Sequence, residues 1–257
     1  MCGRYAITLA PEVFRQTFGY PEQPNFPPRY NVAPTQPVPI VTAEHGNRHF
    51  RLVRWGFLPS WVKDPKAFPL IINARSETLL EKPTFRAAVT RRRCLFLADG
   101  FYEWRRLGRA KAPYLIRRKD GAPLFFAGLW ETYSDPAGGE IDTAAIVTTD
   151  ANGVLAAIHD RMPAILAVED VAPWLSAEEV PPKDAVRLVR PCPEDWIEAV
   201  PVSRRVNSVA NDDPGLQEVL AREDTGPEAS GSAAVKPSRS KAAKSLSSDE
   251  DEQGRLI

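Results

Sequence analysis

Cysteine and histidine are scarce in this 257-residue chain, with three of each. Cys2, Cys94 and Cys192 are odd in number and share no CxxC spacing, so neither a disulfide framework nor a cysteine-rich zinc site organises the fold. His45 and His49 stand four apart, but they lie in AEHGNRHF, where Gly46 and Asn47 argue against the helix that would align the rings. No metal is expected. Charge of either sign is also not in excess: Lys+Arg and Asp+Glu are both 33, so no global field draws the molecule onto nucleic acid, and any such binding must come from a local patch. Long hydrophobic runs are missing, none approaching the ~20 residues of a membrane span. The first residues, through Phe14, lack the basic start and apolar run of a secretory signal, and a soluble, cytoplasmic location is expected, at the nucleoid in a bacterium. GxGxxG, GxxxxGK[ST] and βαβ alternation are absent, which gives no support to a nucleotide cofactor or any other cofactor.

What is present is enough apolar content, 43%, to build a sizeable core. Apolar or alternating segments bounded by Gly, Pro or Asp predict strands over Phe50–Trp55, Arg93–Ala98, Tyr114–Arg118, Leu124–Leu129, Thr143–Thr149, Ala164–Val168 and Val186–Val189. Helical patterns are fewer and shorter: Pro11–Phe18, Glu77–Leu80, Thr84–Thr90, Asn152–Ile158 and Val168–Leu175. Many strands, few helices and 25 prolines predict an α+β fold, a curved, mostly antiparallel sheet or open barrel-like core with peripheral short helices. This domain is expected over 1–222. From 223 to 257 the composition turns to Ser, Ala, Lys and acidic residues, the signature of a disordered tail.

The second residue carries the most distinctive chemistry. Removal of Met1 would leave Cys2 with an α-amine and a thiol, a 1,2-aminothiol, both nucleophilic near neutral pH at their ordinary pKa values of ~8 and ~8.5. The amine can condense with an aldehyde to an imine, and the thiol can then close a five-membered thiazolidine intramolecularly. Three polar residues stand in apolar or tightly turned settings: Asn73 in LIINARSET, Glu103 in LADGFYEW and His159 in AAIHDRMP. Apolar neighbours around Glu103 predict a partly desolvated carboxyl with a raised pKa, suited to proton transfer. Each residue has a plainer role open to it: an exposed strand position for Glu103, a structural histidine for His159, a helix cap for Asn73.

Taken together, MCGRY (1–5), YNVAPTQ (30–36), RWGFLPSW (54–61), NARSET (73–78), RRCLFLADGFYEW (92–104) and IHDRMP (158–163) resemble the SOS-response-associated peptidase (SRAP) family, whose members link covalently to abasic DNA. The segments occur in family order across almost all of 1–222. The resemblance implies a barrel-like core with a basic DNA groove, Cys2 as nucleophile, and Asn73, Glu103 and His159 around it. It further implies DNA contacts from Arg4, Arg75 and Arg161, and an apolar wedge at a single-strand to double-strand junction from Trp55, Phe57, Leu58, Pro59 and Trp61. Arg91–Arg92–Arg93 and Arg105–Arg106 could extend the phosphate track. The expected partner is single-stranded or junction DNA containing abasic sites, bound by a monomer, with weak lyase activity as a side branch. A thiol peptidase using Cys2 and His159, its self-removal of Met1 included, and a non-covalent junction-binding module stay open as alternatives.

Overall fold

Twenty-five prolines cut the alternating apolar pattern into short pieces, and the described residues form twelve strands and five short α-helices. The computed structural model describes residues 2–108, 110–135 and 138–221. The tail expected over 223–257 lies outside them. The strands are β1 (Tyr5–Ile7), β2 (Arg29–Val32), β3 (Pro37–Glu44), β4 (Asn47–Trp55), β5 (Asn73–Arg75), β6 (Arg93–Ala98), β7 (Gly100–Leu107), β8 (Ala110–Arg118), β9 (Leu124–Ser134), β10 (Glu140–Asp150), β11 (Arg161–Pro163) and β12 (Ile197–Pro201). Around them lie α1 (Pro11–Phe18), α2 (Pro83–Arg91), α3 (Gly153–Ala156), α4 (Val168–Leu175) and α5 (Pro182–Arg187). No helix among the described residues is long and apolar enough to cross a membrane.

Five strands close on themselves. β4 pairs with β3, β3 with β6, β6 with β9, β9 with β10, and β10 returns to β4, so this sheet has no free edge around its ring. β5 and β11 attach to β10, and a second sheet runs β12-β8-β7-β1-β2. All pairings are antiparallel except those of β10 with β4 and β5. The α+β, mostly antiparallel architecture thus matches the expectation. Tyr5 sits edge-on to Trp55, Phe96 and Phe126, with centroids 5.2, 6.4 and 6.3 Å away, joining the second sheet to the barrel through one aromatic core.

Helix α1 shows how local sequence sets an element. Pro11 starts it, Phe14 and Phe18 bury one face, and Gly19 ends it at φ 70°, donating its N–H to the Arg15 carbonyl. The strand expected at Val186–Val189 is corrected: α5 covers Pro182–Arg187 because Pro182 pre-sets the first helical φ, with Asp184 and Arg187 at the ends that suit their charges. The strand expected at Ala164–Val168 is also displaced. That stretch runs beside β9, with Ala127 N–H donating to the Ala164 carbonyl and Leu166 N–H to the Phe125 carbonyl, but the ladder stops where α4 begins. β3 hides behind Pro37 and Pro39; β6 pairs only with Ile40 and Val41, past both prolines, so no ladder donor is lost on that side.

Arg93 is 2% exposed and donates to four carbonyls, those of Val89, Trp174, Ser176 and Val180, so it holds α2, α4 and the chain beyond α4 together. It takes no part in a phosphate track, which corrects that expectation. Replacing Arg93 with Met should cost ~3 kcal/mol or more, because buried carbonyls lose their donors. Urea denaturation would register this as a lower midpoint at an unchanged slope.

Candidate active site

The amino-terminal segment enters the molecule alongside β7. Tyr5 pairs with Phe101, and Tyr102 N–H donates to the Arg4 carbonyl at 3.0 Å, so the same antiparallel register places Gly3 beside Glu103. Side chains alternate along β7: Tyr102 packs with Leu115, Val202, Val206 and Leu216, and its neighbours Phe101 and Glu103 project to the opposite face. Glu103 is therefore 3% exposed at the margin of the main core. Burial pushes its carboxyl above the ordinary range, and the charge of nearby His159 opposes the shift only in part.

Asn73 reaches the same place from the barrel side. It opens β5 opposite Ile146 of β10, and its Nδ2 donates to the Cys2 carbonyl at 3.0 Å. Its Oδ1 is shut away from solvent with no donor among the described residues, ready to accept from an amine or hydroxyl. Trp55 sets this position: it is fully buried, and its Nε1–H donates to the carbonyl of Ile72, immediately before Asn73.

Cys2 itself is fully buried in the chain that still carries Met1. Burial, and secondarily the negative charge of Glu103, push its thiol far above the ordinary value. That shift belongs to the chain in which Met1 still covers Cys2 and its nitrogen is an amide.

His159 follows α3 and precedes β11. Arg161 N–H donates to its Nδ1 at 2.9 Å; in the neutral ring the proton is then on Nε2, and the equally close Asp160 carboxylate, 86% exposed, becomes an ion partner only when the ring is protonated. His159 and Glu103 line one cavity of about 420 Å³, together with Trp104, Arg106, Lys111 and Asn207. Arg106 and Lys111 face each other across the β7–β8 hairpin and are both exposed. The site thus combines a buried acid, an imidazole, an anchored amino terminus and two cations.

The family model described as SOS response associated peptidase (SRAP) matches residues 1–209. The chain belongs to the SRAP family. This SRAP chain is 38% identical over 222 residues to the abasic site processing protein YoqW of Bacillus subtilis (strain 168), covering 85% of the chain and 99% of that relative. It is 34% identical to the abasic site processing protein HMCES of Xenopus tropicalis, over 90% of the chain and 82% of that relative. Among solved structures, a protein from Bacteroides thetaiotaomicron superposes with a TM-score of 0.75 at 27% identity, covering 85% of the chain and all of that structure.

The SRAP residues singled out in the sequence do not all occupy one surface. Asn73 meets Cys2, and Glu103 shares its cavity with His159, whereas Trp55, Phe57 and Leu58 are buried. Trp55 has no ring face open to a base, so its place in a DNA wedge is corrected to a core strut; Trp61, 57% exposed, carries the accessible ring of that segment. Arg161 is committed within the protein: it bridges Glu77 and Asp150 and donates to the Thr148 carbonyl, tying the end of β10 to the turn after β5. Arg4 is likewise held, by the Asn31 side chain and the Val206 and Asn207 carbonyls. Both arginines are thus tied into the protein through their terminal nitrogens. Arg75 is exposed on β5. Lys111 and Asn207 escaped the sequence reading; only the hairpin register, which puts Lys111 opposite Arg106, could have pointed to the first.

Proposed function

We propose that this protein processes abasic sites in DNA by covalent capture at Cys2. The observation that carries the reading is the clamp of the Cys2 carbonyl by Asn73, which holds an amino-terminal aminothiol beside a buried carboxyl. Similarity to relatives named abasic site processing proteins supplies the substrate class. Once Met1 is removed, the neutral α-amine of Cys2 attacks C1 of the ring-opened sugar and gives a carbinolamine. Loss of water, with Glu103 supplying the proton to the departing hydroxyl, forms the imine. The thiol then adds to the imine carbon, its proton passing to nitrogen, and the thiazolidine closes. The imine must form before sulfur can add to its carbon, and the second step is then an intramolecular closure. Elimination of the 3′ phosphate from the imine is the competing branch, and ring closure suppresses it. His159 assists opening of the closed sugar through its Nε2–H. The preferred partner is single-stranded or junction DNA, in which the lesion sugar is free to leave the stack.

Incubating the purified protein with a single-stranded oligonucleotide bearing one abasic site tests the proposal. A denaturation-resistant adduct of one protein per strand is expected, and its absence, or Cys2-dependent cleavage of peptides in trans instead, would overturn it. Arg75, Arg106 and Lys111 serve as the phosphate contacts. Each alanine variant should weaken binding irrespective of base sequence and reduce the magnitude of the slope of log K against log salt by ~0.7, the value for one phosphate on a single strand. A salt titration read by fluorescence anisotropy measures this directly.

A further inference from the structure

The corner at residues 206–208 is fixed from both strands of the covalent site, yet the chemistry described above does not use it. Arg4, two residues from Cys2, donates to the Val206 carbonyl at 2.9 Å and to the Asn207 carbonyl at 3.3 Å. Asn31, 2% exposed, accepts from Arg4 and donates its own amide hydrogens to the Val206, Ser208 and Asn211 carbonyls. Trp104, next to Glu103 in β7, donates its indole Nε1–H to the Asn207 Oδ1 at 2.7 Å. The segment that carries the nucleophile and the strand that carries the acid thus hold the same residue, one by its backbone and the other by its side chain.

The indole also decides which edge of the Asn207 amide is left over. An indole N–H can only donate, so the amide oxygen must face it and the Nδ2, with two hydrogens, is turned the other way. That nitrogen meets no acceptor among the described residues, and Asn207 is exposed in the lining of the cavity that holds Glu103 and His159. The remaining lining selects what the amide meets. Arg106 and Lys111 are cations, and His159 carries its proton on Nε2 when neutral, so apart from the Glu103 carboxyl the polar groups are donors. A sugar hydroxyl would accept from one of them; a phosphodiester, with a negative charge and two non-bridging oxygens, accepts from the amide and a cation together.

We propose that Asn207 is a further substrate contact, its Nδ2–H donating to a non-bridging oxygen of one of the two phosphates that adjoin the abasic sugar. Trp104 is the positioning residue that keeps the amide from turning over. The contact holds one flank of the lesion and not the other, and so seats the sugar at the cavity that Glu103 and His159 share. This rests on the abasic-site reading for its substrate, but the contact needs no aldehyde and no covalent step.

The test uses single strands with a tetrahydrofuran in place of the abasic sugar, which keeps the phosphates and lacks the aldehyde, and reads binding by fluorescence anisotropy. Three strands are compared: one with all phosphates, and two in which the phosphate on one or the other side of the tetrahydrofuran is a methylphosphonate, which loses the charge and one oxygen. On the first strand Asn207→Ala should raise Kd about tenfold, the order for a hydrogen bond to a charged acceptor. The slope of log K against log salt should stay at the wild-type value, because a neutral amide releases no counterion. On one methylphosphonate strand the penalty should shrink to about twofold or less, the margin within which independent changes add, and on the other it should persist. Asn207→Asp keeps an oxygen for Trp104 and loses the donor, so it should bind at least as weakly as Asn207→Ala with the turn intact. Trp104→Phe should show a smaller loss of the same flank dependence, since the amide can then present either edge. An equal Asn207→Ala penalty on all three strands would mean a loosened turn and overturn the proposal, as would wild-type affinity of Asn207→Ala or Asn207→Asp. Adduct formation on the true abasic strand is scored separately. A protein that makes no adduct but shows this pattern loses the covalent function and keeps the Asn207 contact; one that makes the adduct with Asn207→Ala binding as wild type does the reverse.

Discussion

Cys2→Ala should eliminate the denaturation-resistant adduct while leaving the fold and non-covalent DNA binding close to wild type. The amine survives in this variant, but without sulfur the imine has nothing to close onto and hydrolyses or eliminates. Cys2→Ser separates the two steps more finely. Its amine should still form an imine that borohydride traps, whereas the untrapped product should be lost on heating, and strand scission by elimination should increase. Retention of Met1 should be as damaging as Cys2→Ala, because the Cys2 nitrogen is then an amide, with no basic lone pair, and the side chain is fully buried. A Cys2→Ala protein that forms the heat-stable adduct at the wild-type rate would refute the mechanism. Mass spectrometry of the intact variants would establish the state of Met1 in each preparation.

Glu103→Gln should slow adduct formation by ~10²–10⁴-fold, the usual span for losing a general acid or base. Gln retains the shape but cannot give up a proton to the departing hydroxyl. The pH profile carries a second signature. Burial raises the Glu103 carboxyl, so its acid form is present below that raised pKa and is lost as pH climbs through it, while the Cys2 amine gains its neutral form over the rising limb. Wild type should therefore show a bell-shaped rate, and Glu103→Gln should keep the rising limb and lose the fall at high pH. His159→Ala should act differently, slowing formation by a smaller factor and also slowing release of a preformed adduct, followed by chasing with unlabelled DNA. Equal, near-wild-type time courses for both variants would leave Cys2 a bare aminothiol and remove the acid-base roles.

Much of this was legible in the sequence because the physics is local. Helix α1 begins at Pro11 and both α1 and α4 keep the bounds their apolar spacing predicts, α4 in spite of Pro173 within it, and β6 coincides with the run of apolar residues over Arg93–Ala98. The aminothiol of Cys2 needs no fold to be recognised, since it follows from which residue stands second. The raised Glu103 carboxyl was expected from its apolar chain neighbours, but of these only Phe101 shares its face of β7, while Tyr102 and Trp104 pack on the other.

Tertiary structure alone decided the rest, because the deciding partners are distant in sequence. Whether an arginine is a phosphate ligand or an internal strut depends on carboxylates and carbonyls elsewhere, and Glu77, 84 positions before Arg161, cannot be paired with it by inspection of either segment. The tryptophans of RWGFLPSW look alike in the chain, yet the closing of β10 onto β4 puts Trp55 inside the barrel and leaves Trp61 outside. Fold also set the surroundings of Cys2: only the tertiary structure buries it and brings the Asn73 side chain onto its carbonyl. The residue types that can do chemistry were written in the sequence; which of them face DNA, and in what protonation state, was set by solvent exclusion and by contacts between strands far apart in the chain.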